Sequence, residues 1–523
     1  MSEKEYIVTL KKGVDYEQFN EDMIASTGAG DIPNRTVDIA NARPGSQRNT
    51  HYALTDAEAD ALKNDSRVLD VAIPPDQDDN LEIGLNAFDN TLFYKGTGEG
   101  GKYLDWGKRR HCVTTETVTW GGTLAGRPFE YNLDGTGVDV VIQDSGLQVD
   151  HPEFKDANGI SRVHQIDWYT ASGLNGFQSS NHYRDTDGHG THVAGTATGL
   201  HFGWAKGSRV YSVKVNGLEG SGDSGTGISV SNCFDVIKLW HRNKPVDPIT
   251  GRKRPTIVNM SWGYSAGYTS ASDIIYRGTT YNTGNDASFA SRTHLRDTYG
   301  LYPYLTTSGY RFPVRVTSVD TDVEELIDEG VHVCIAAGNN SFKVDVPGGD
   351  DYNNILFWSS GSGYYHRGSS PYSENAFMVG CMNSQSNPAD NKVSFSTTGP
   401  GVDIYAAGHN IMSCTSTTNK FADASYWGGG GFRQCNISGT SMASPQVCGI
   451  GALYLQANPM LTPAQLRDMI HKDSSETMAA GTLTDYGNLN DAMGGPRRVA
   501  VQRYNKVTPY TNTASGKYNI RSK

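Results

Sequence analysis

Short apolar runs at Tyr6-Ile-Val-Thr-Leu10 and Val68-Leu-Asp-Val-Ala-Ile73 predict strands, the second stopped by Pro74 and Pro75. Between them Phe19 and Met23 recur at helical spacing within residues 16–24. Thr55-Asp-Ala-Glu58 starts a second helix, through Lys63, with side chains spaced to cap each other's backbone. The material between these helices, to Leu54, reads as extended. Strand, helix, extended segment, helix and strand together describe a small α+β sandwich over residues 1–75.

Residues 76–104 are rich in Asp, Asn and Gly (Asp76-Gln-Asp-Asp-Asn80; Gly96-Thr-Gly-Glu-Gly-Gly101), the composition of a linker. Over residues 105–490 short apolar runs alternate with helical stretches. The predicted strands are Val138–Ile142, Arg209–Val215, Thr256–Met260, Val331–Ala336 and Ala376–Val379. Continuously apolar strands alternating with helices imply a parallel sheet covered on both faces. Two Tyr/Ser/Gly-rich stretches, 264–320 and 341–370, break the rhythm and read as surface loop insertions. The end of the chain, 491–523, reads as a solvated basic tail, with seven Lys/Arg and no acid from 492 onward.

Composition narrows the partners. The 523 residues carry a formal net charge of −11, against the basic face a nucleic-acid binder needs. The first 75 hold 13 acidic and 8 basic residues, so they contribute nearly half of that charge. No apolar run reaches the ~18 residues of a membrane span, so neither nucleic acid nor a membrane is an expected partner. The N-terminus, Met1-Ser-Glu-Lys-Glu-Tyr-Ile-Val, lacks a basic segment followed by an apolar one, so no secretory signal is read there. Seven scattered cysteines form neither a disulfide framework nor a metal knuckle and read as mostly buried thiols of a reducing, cytoplasmic setting. A bridge among Cys112, Cys414 and Cys435 stays open.

Three segments carry chemistry. Val140-Val-Ile-Gln-Asp144-Ser-Gly146 puts an acid at the carboxyl end of a strand. Asp187-Gly-His189-Gly-Thr-His192 puts a histidine in a helix's first turn. Ile437-Ser-Gly-Thr-Ser441-Met-Ala-Ser-Pro445 puts a serine at another helix start. Ligands of parallel sheets sit at such strand ends and helix starts. A serine hydroxyl is hardly ionised at neutral pH, so its proton must pass to an imidazole, which a carboxylate orients. A fourth segment, Cys334-Ile-Ala-Ala-Gly338-Asn339, ends a strand with an amide that, with the Ser441 N–H, can receive a developing oxyanion.

Asp144, His189, Asn339 and Ser441, in that order and within DGHGTHVAG and GTSMASP, resemble the subtilisin-like serine proteases (subtilases, peptidase S8). The resemblance covers residues 105–490. His151-Pro-Glu-Phe154, Phe202-Gly-Trp-Ala-Lys206, Phe395-Ser and Gly401-Val-Asp403-Ile are similar to the proteinase K branch. It implies an α/β fold of three layers, α/β/α, with a mostly parallel sheet, and a serine endopeptidase acting on proteins and peptides. It also implies that residues 1–75 are a ferredoxin-like inhibitory propeptide, a partner in cis, with self-cleavage in 76–104.

The resemblance further implies substrate contacts at Gly220, Ser221 and Gly222 on one side, and at Ser261, Trp262 and Gly263 on the other. Ala336, Ala337 and Gly338 would form the opposite pocket wall. That wall is neutral and glycine-rich, which implies apolar or broad specificity. Trp262 and Gln143 stand where the family has a smaller apolar and an apolar residue. Gln446 and Cys448 depart from the usual His and Ala behind the serine.

No cofactor is needed for this chemistry, but the proteinase K pattern implies structural calcium at Asp403, Asn375 and Phe377. His192 reads as a core histidine, Asp185 and Asp187 as turn formers and Glu153 as a helix-start acid. The Tyr/Gly-rich insertions are similar to subtilases encoded by tailed bacteriophages, which implies an infected cell or a phage particle and its proteins as the setting. A second reading therefore stays open at this point: a virion-associated scaffold that keeps the fold and rarely cleaves.

Overall fold

The computed structural model describes residues 3–25, 33, 35–78, 80–85, 88–89, 106–112, 129–167, 169–170, 173, 182–215, 229–248, 251–268, 270–302, 304–306, 309–384, 390–481, 486, 491–504 and 506–507. Strand β1 (Lys4–Leu10) leads to helix α1 (Tyr16–Ile24), β2 (Ile39–Asn41), β3 (Asn49–Leu54), α2 (Asp56–Leu62) and β4 (Val68–Ala72). These four strands form one antiparallel sheet in the order β2-β3-β1-β4. Asp15 starts α1 by accepting from the Gln18 N–H, and Thr55 and Glu58 cap α2 reciprocally, which satisfies N–H groups no helix bond can reach. Phe19 and Met23, one turn apart on α1, are buried with Val8, Tyr52, Leu62 and Val71.

The following segment differs from its linker composition. It contains β5 (Leu81–Leu85) and β6 (Phe88–Asp89), and both pair with strands of the large domain rather than with the N-terminal sheet. The partner strands supply the order here, so the segment's own residues need no apolar pattern.

Helix α3 (Trp106–Cys112) and β7 (Phe129–Glu130) precede β8 (Asp139–Asp144), α4 (His189–Thr198), β9 (Arg209–Lys214), α5 (Val230–Asn243) and β10 (Thr256–Met260). The chain then forms β11 (Trp262–Tyr268), β12 (Asp273–Tyr276), β13 (Thr279–Tyr281), α6 (Arg292–Tyr299), β14 (Tyr304–Thr306) and β15 (Gly309–Pro313). After α7 (Thr317–Asp328) and β16 (His332–Ala336) come β17 (Ile355–Trp358), β18 (Gly361–Tyr364), β19 (Phe377–Met382) and β20 (Ile404–Ala407). β21 (Ile411–Thr415), β22 (Asp423–Ser425), β23 (Arg433–Ser438), α8 (Thr440–Ala457), α9 (Pro463–Asp473) and β24 (Lys506–Val507) complete the described chain.

Six parallel strands in the order β20-β19-β16-β10-β8-β9 form the centre. Alternate residues of β8 serve opposite faces, as the two-residue strand period requires. Val140 and Ile142 join a core with Val193 of α4 and Val447 of α8. Val141 joins another with Phe234 of α5 and Val323 of α7. The result is three layers, α/β/α, around a parallel sheet.

The two insertions are not surface loops. β11 continues into an antiparallel sheet, β14-β15-β11-β5, and β12 of the first insertion pairs with β17 of the second in the sheet β13-β12-β17-β18. They share a core of Ile274, Tyr299, Phe312, Leu356 and Tyr365. Neither stretch carries enough apolar positions alone, and each buries its face only against the other. The C-terminal segment also begins packed rather than solvated. Val499 and Ala500 are buried, and Val499 bridges to Tyr405 and Ser475. All seven cysteines are free thiols, six of them buried. Among the described residues no helix is long and apolar enough to cross a membrane.

Candidate active site

The acid and the histidine meet because β8 ends beside the first turn of α4. His189 Nδ1 donates to Asp144 Oδ1 at 2.8 Å, and the Ser145 N–H donates to the same oxygen at 2.7 Å. Two glycines permit this approach. Gly146 has φ 123°, and a Cβ on Gly190 would lie 2.2 Å from the Gly146 carbonyl oxygen. Asp185 ties the two segments together, accepting from the hydroxyls of Ser145 and Thr191 and from the N–H groups of Asp187, Gly188 and Thr191. With its Nδ1 proton held by Asp144, His189 presents Nε2 as a base, and Nε2 has no hydrogen-bond partner among the described residues.

The serine is placed by the first turn of α8. Pro445 has no N–H to give the Ser441 carbonyl four residues earlier, and the Ser261 hydroxyl donates to that carbonyl instead, at 3.1 Å. In return Ser441 Oγ donates to the Ser261 carbonyl at 3.0 Å. Asn259 supports the pair, donating to Ser261 Oγ at 2.8 Å and accepting from Ser444 Oγ at 2.7 Å. Asn339, just beyond β16, accepts from both the N–H and the hydroxyl of Thr440 at 2.9 Å. Its oxygen is thereby committed, which leaves the NH₂ as the end of the amide that can serve an oxyanion. Asp144, His189 and Ser441 are all completely buried in the intact chain.

This constellation coincides with a sequence match. Residues 135–494 match the subtilase family. The chain belongs to that family. It is 27% identical over 66% of its length to an extracellular serine proteinase of Thermus sp. (strain Rt41A), of which the match covers 56%. It is 28% identical over 61% of its length to subtilisin-like protease 5 of Arthroderma otae (strain ATCC MYA-4605 / CBS 113480), covering 53% of that protein. The chain thus spans just over half the length of these curated relatives. Among solved structures it resembles fervidolysin from Fervidobacterium pennivorans, a keratinolytic enzyme related to subtilisin. That likeness has a TM-score of 0.52 at 15% identity, covering 96% of this chain and 60% of the other, and it speaks to the fold alone.

In this subtilase, Ser261, Trp262 and Gly263 lie at the start of β11, and Ala336, Ala337 and Gly338 at the end of β16. Gly220, Ser221 and Gly222 lie outside the described residues. Trp262 pairs with Leu85 of β5 and is fully buried in the intact chain, edge-on to Phe234 and Tyr264. A cavity of about 80 Å³ lies between the two walls, lined by Gly84, Gly263, Arg311, Gly338, Asn340 and Ser369. Its rim is therefore more polar than the motifs imply. Arg311 comes from β15, inside an insertion, where no motif marks it. Ser261 and Thr440 were visible in their motifs, but their positioning of Ser441 and Asn339 was not.

The calcium expectation does not fit these side chains. Asp403 Oδ1 accepts from Arg467 and Oδ2 from His471, each at 2.8 Å, and Arg498 lies 3.9 Å away. Burial works to raise the Asp403 carboxyl, yet His471 and Arg467 hold it below the usual range. Two guanidiniums stand where a cation would need oxygen ligands. Asn375 lines a separate cavity with Asp403, Arg467 and Arg498, and Phe377 is a buried residue of β19. Among the described residues no group of His, Cys, Asp and Glu is arranged to hold a metal. His192 is a core residue, its Nε2 3.1 Å from the Ile411 carbonyl, and Asp187 pairs with Lys420.

Proposed function

We propose that this chain is a serine endopeptidase made as a zymogen. The observation that carries the reading is the His189–Asp144 bond beside Ser441 and Asn339 at the carboxyl edge of the parallel sheet. Ser441 Oγ attacks the scissile carbonyl and gives its proton to His189 Nε2. Asp144 stabilises the resulting imidazolium. The Asn339 NH₂ and the Ser441 N–H take the oxyanion, and His189 then protonates the leaving amine. Ser441 Oγ must turn from the Ser261 carbonyl toward His189 for the attack, and catalytic hydrogen bonds commonly tighten only when substrate is bound.

The complete burial of all three residues supports the zymogen reading, because no external substrate reaches Ser441 in the uncut chain. Residues 1–75 and the strands that follow would act as the internal inhibitor. The test is hydrolysis of a denatured protein such as casein by purified wild type and by Ser441→Ala. The variant is expected to lose activity by several orders of magnitude while its circular dichroism is unchanged. Equal hydrolysis by both proteins overturns the assignment.

A further inference from the structure

Strand β11 is edged on one side by β5 and on the other by β15, a strand of the first insertion. Ile83 of β5 lies opposite Tyr264 and Gly84 opposite Gly263. On the far side Phe312 lies opposite Ala266 and Arg311 opposite Gly267. Directly opposed residues of an antiparallel pair share a face, and faces alternate along each strand. One face therefore carries Ile83, Trp262, Tyr264, Ala266 and Phe312, all packed in apolar cores. The other carries Gly84, Gly263, Ser265 and Arg311, and these four line the cavity of about 80 Å³ beside Gly338 and Asn340.

Two opposed glycines keep this space open. A Cβ on Gly263 would lie 2.3 Å from Ser369 Oγ, so that position admits no side chain. A Cβ on Gly84, on the same face, would meet nothing within 4 Å. β5 lies along the wall that begins at Ser261, and Gly338 belongs to the opposite wall, so β5 stands where an extended polypeptide would be held. A polypeptide that takes its place brings a side chain into the cavity wherever it has a residue other than glycine at this position.

The lining sets the chemistry of that side chain. Arg311 supplies a positive charge, its Nη1 donating to Ser265 Oγ at 3.5 Å, and Asn340 and Ser369 add polar groups. Burial pushes the Arg311 guanidinium below its usual value, a shift that a carboxylate beside it would reverse. A guanidinium takes a carboxylate through two parallel hydrogen bonds and repels a basic side chain.

We infer that Arg311 is a specificity residue: the subsite that Gly84 fills in the intact chain selects an acidic side chain of the substrate, an inference that rests on the proposed endopeptidase activity. The preceding substrate residue takes the place of Ile83, on the core that contains Trp262 and Tyr264. The preferred segment is therefore extended, with an apolar residue followed directly by Asp or Glu.

Two experiments separate the subsite from the chemistry. The first uses full-length Ser441→Ala, in which no cleavage by this site intervenes, and compares Gly84→Glu with Gly84→Gln by thermal unfolding, each with and without Arg311→Gln. Gly84→Glu is expected to unfold about 2 °C above Gly84→Gln when Arg311 is present, and at the same temperature when it is not. Equal midpoints with Arg311 present overturn the inference and leave the endopeptidase reading standing. In the second, full-length wild type, Arg311→Gln and Arg311→Lys digest a proteome-derived peptide library, with folding checked by circular dichroism and the cuts mapped by mass spectrometry. Wild type should show Asp and Glu enriched about 10-fold or more at one fixed position before the cut, Arg311→Lys should keep part of that enrichment, and Arg311→Gln should lose it. No enrichment in wild type, or enrichment that survives Arg311→Gln, overturns the inference. A wild type that cuts nothing overturns the endopeptidase reading, and the substrate role of Arg311 with it, whatever the unfolding result.

Discussion

Gln143 stands immediately before Asp144, completely buried, with neither end of its amide hydrogen-bonded among the described residues. A buried unpaired polar group costs about 1–3 kcal/mol. Gln143→Met keeps the volume and removes the amide, so it is expected to raise unfolding free energy by about 1–2 kcal/mol in denaturant titration, with activity kept. No gain would mean that the amide is solvated by a buried water. The other departure behind the serine has a partner, since Gln446 accepts from the Trp204 indole at 2.6 Å. For Asn339→Ala, kcat should fall about 10²–10³-fold with KM nearly unchanged, a magnitude carried over from subtilisin itself; an equal rise in KM would assign Asn339 to ground-state binding. At this scale the sequence was most legible where chemistry needs a fixed local backbone. The glycines beside Asp144 and His189 and the Gly-Thr before Ser441 are such places. The Ser261–Ser441 exchange was not legible, because it joins residues 180 apart in the chain.

Among elements, five of the six strands of the parallel sheet were readable because burial on both faces leaves them largely apolar, while the four-residue edge strand β20 was missed. β5, β6 and the insertion strands were not readable, since their order comes from partners distant in sequence. Glu153 shows the same limit. It reads as a helix-start acid, yet it lies completely buried and holds the turn after α4, accepting from the N–H groups of His201 and Phe202, the His201 ring and the Tyr426 hydroxyl. Burial works to raise its pKa, but the His201 and Tyr426 contacts bring it down to about 2 from an ordinary 4.5. A depressed carboxyl contributes stability that is present above the unfolded value and lost as pH falls through the folded one. That contribution is about 3 kcal/mol at neutral pH, disappearing between pH 4.5 and about 2. Glu153→Gln should therefore lower stability at pH 7 and flatten the acid limb of the stability profile. An unchanged acid limb would show that other carboxylates dominate acid unfolding.

The whole molecule is held closed by a charged joint as well as by strand pairing. Arg43, in the loop between β2 and β3, is fully buried against the large domain, donating to Asp235 of α5 at 2.6 Å and to Asp322 of α7 at 2.9 Å. Asn49 also donates to Asp322, at 3.0 Å, while Lys238 pairs with the neighbouring Glu325. Removing one partner of such a buried group typically costs about 3–5 kcal/mol. On the proposed zymogen reading, Arg43→Met should accordingly weaken retention of the N-terminal domain after cleavage by about 10²–10⁴-fold, seen as loss of co-elution in gel filtration. One guanidinium serves two carboxylates, and the balance is uneven. Burial, with Asp235 and Glu325 nearby, pushes Asp322 up to about 7 from 3.8 despite Arg43 and Lys238. Docking thus favours the protonated form of Asp322, so the joint is strongest at low pH. It weakens as pH rises from about 4 to about 7, by at most about tenfold per pH unit for one proton, and levels off above that window. Measured as the release rate of the cut N-terminal domain against pH, wild type should accelerate through that range and Asp322→Asn should not. A wild-type profile as flat as the variant's would show that Asp322 stays ionised in the joint, with Arg43 outweighing its burial.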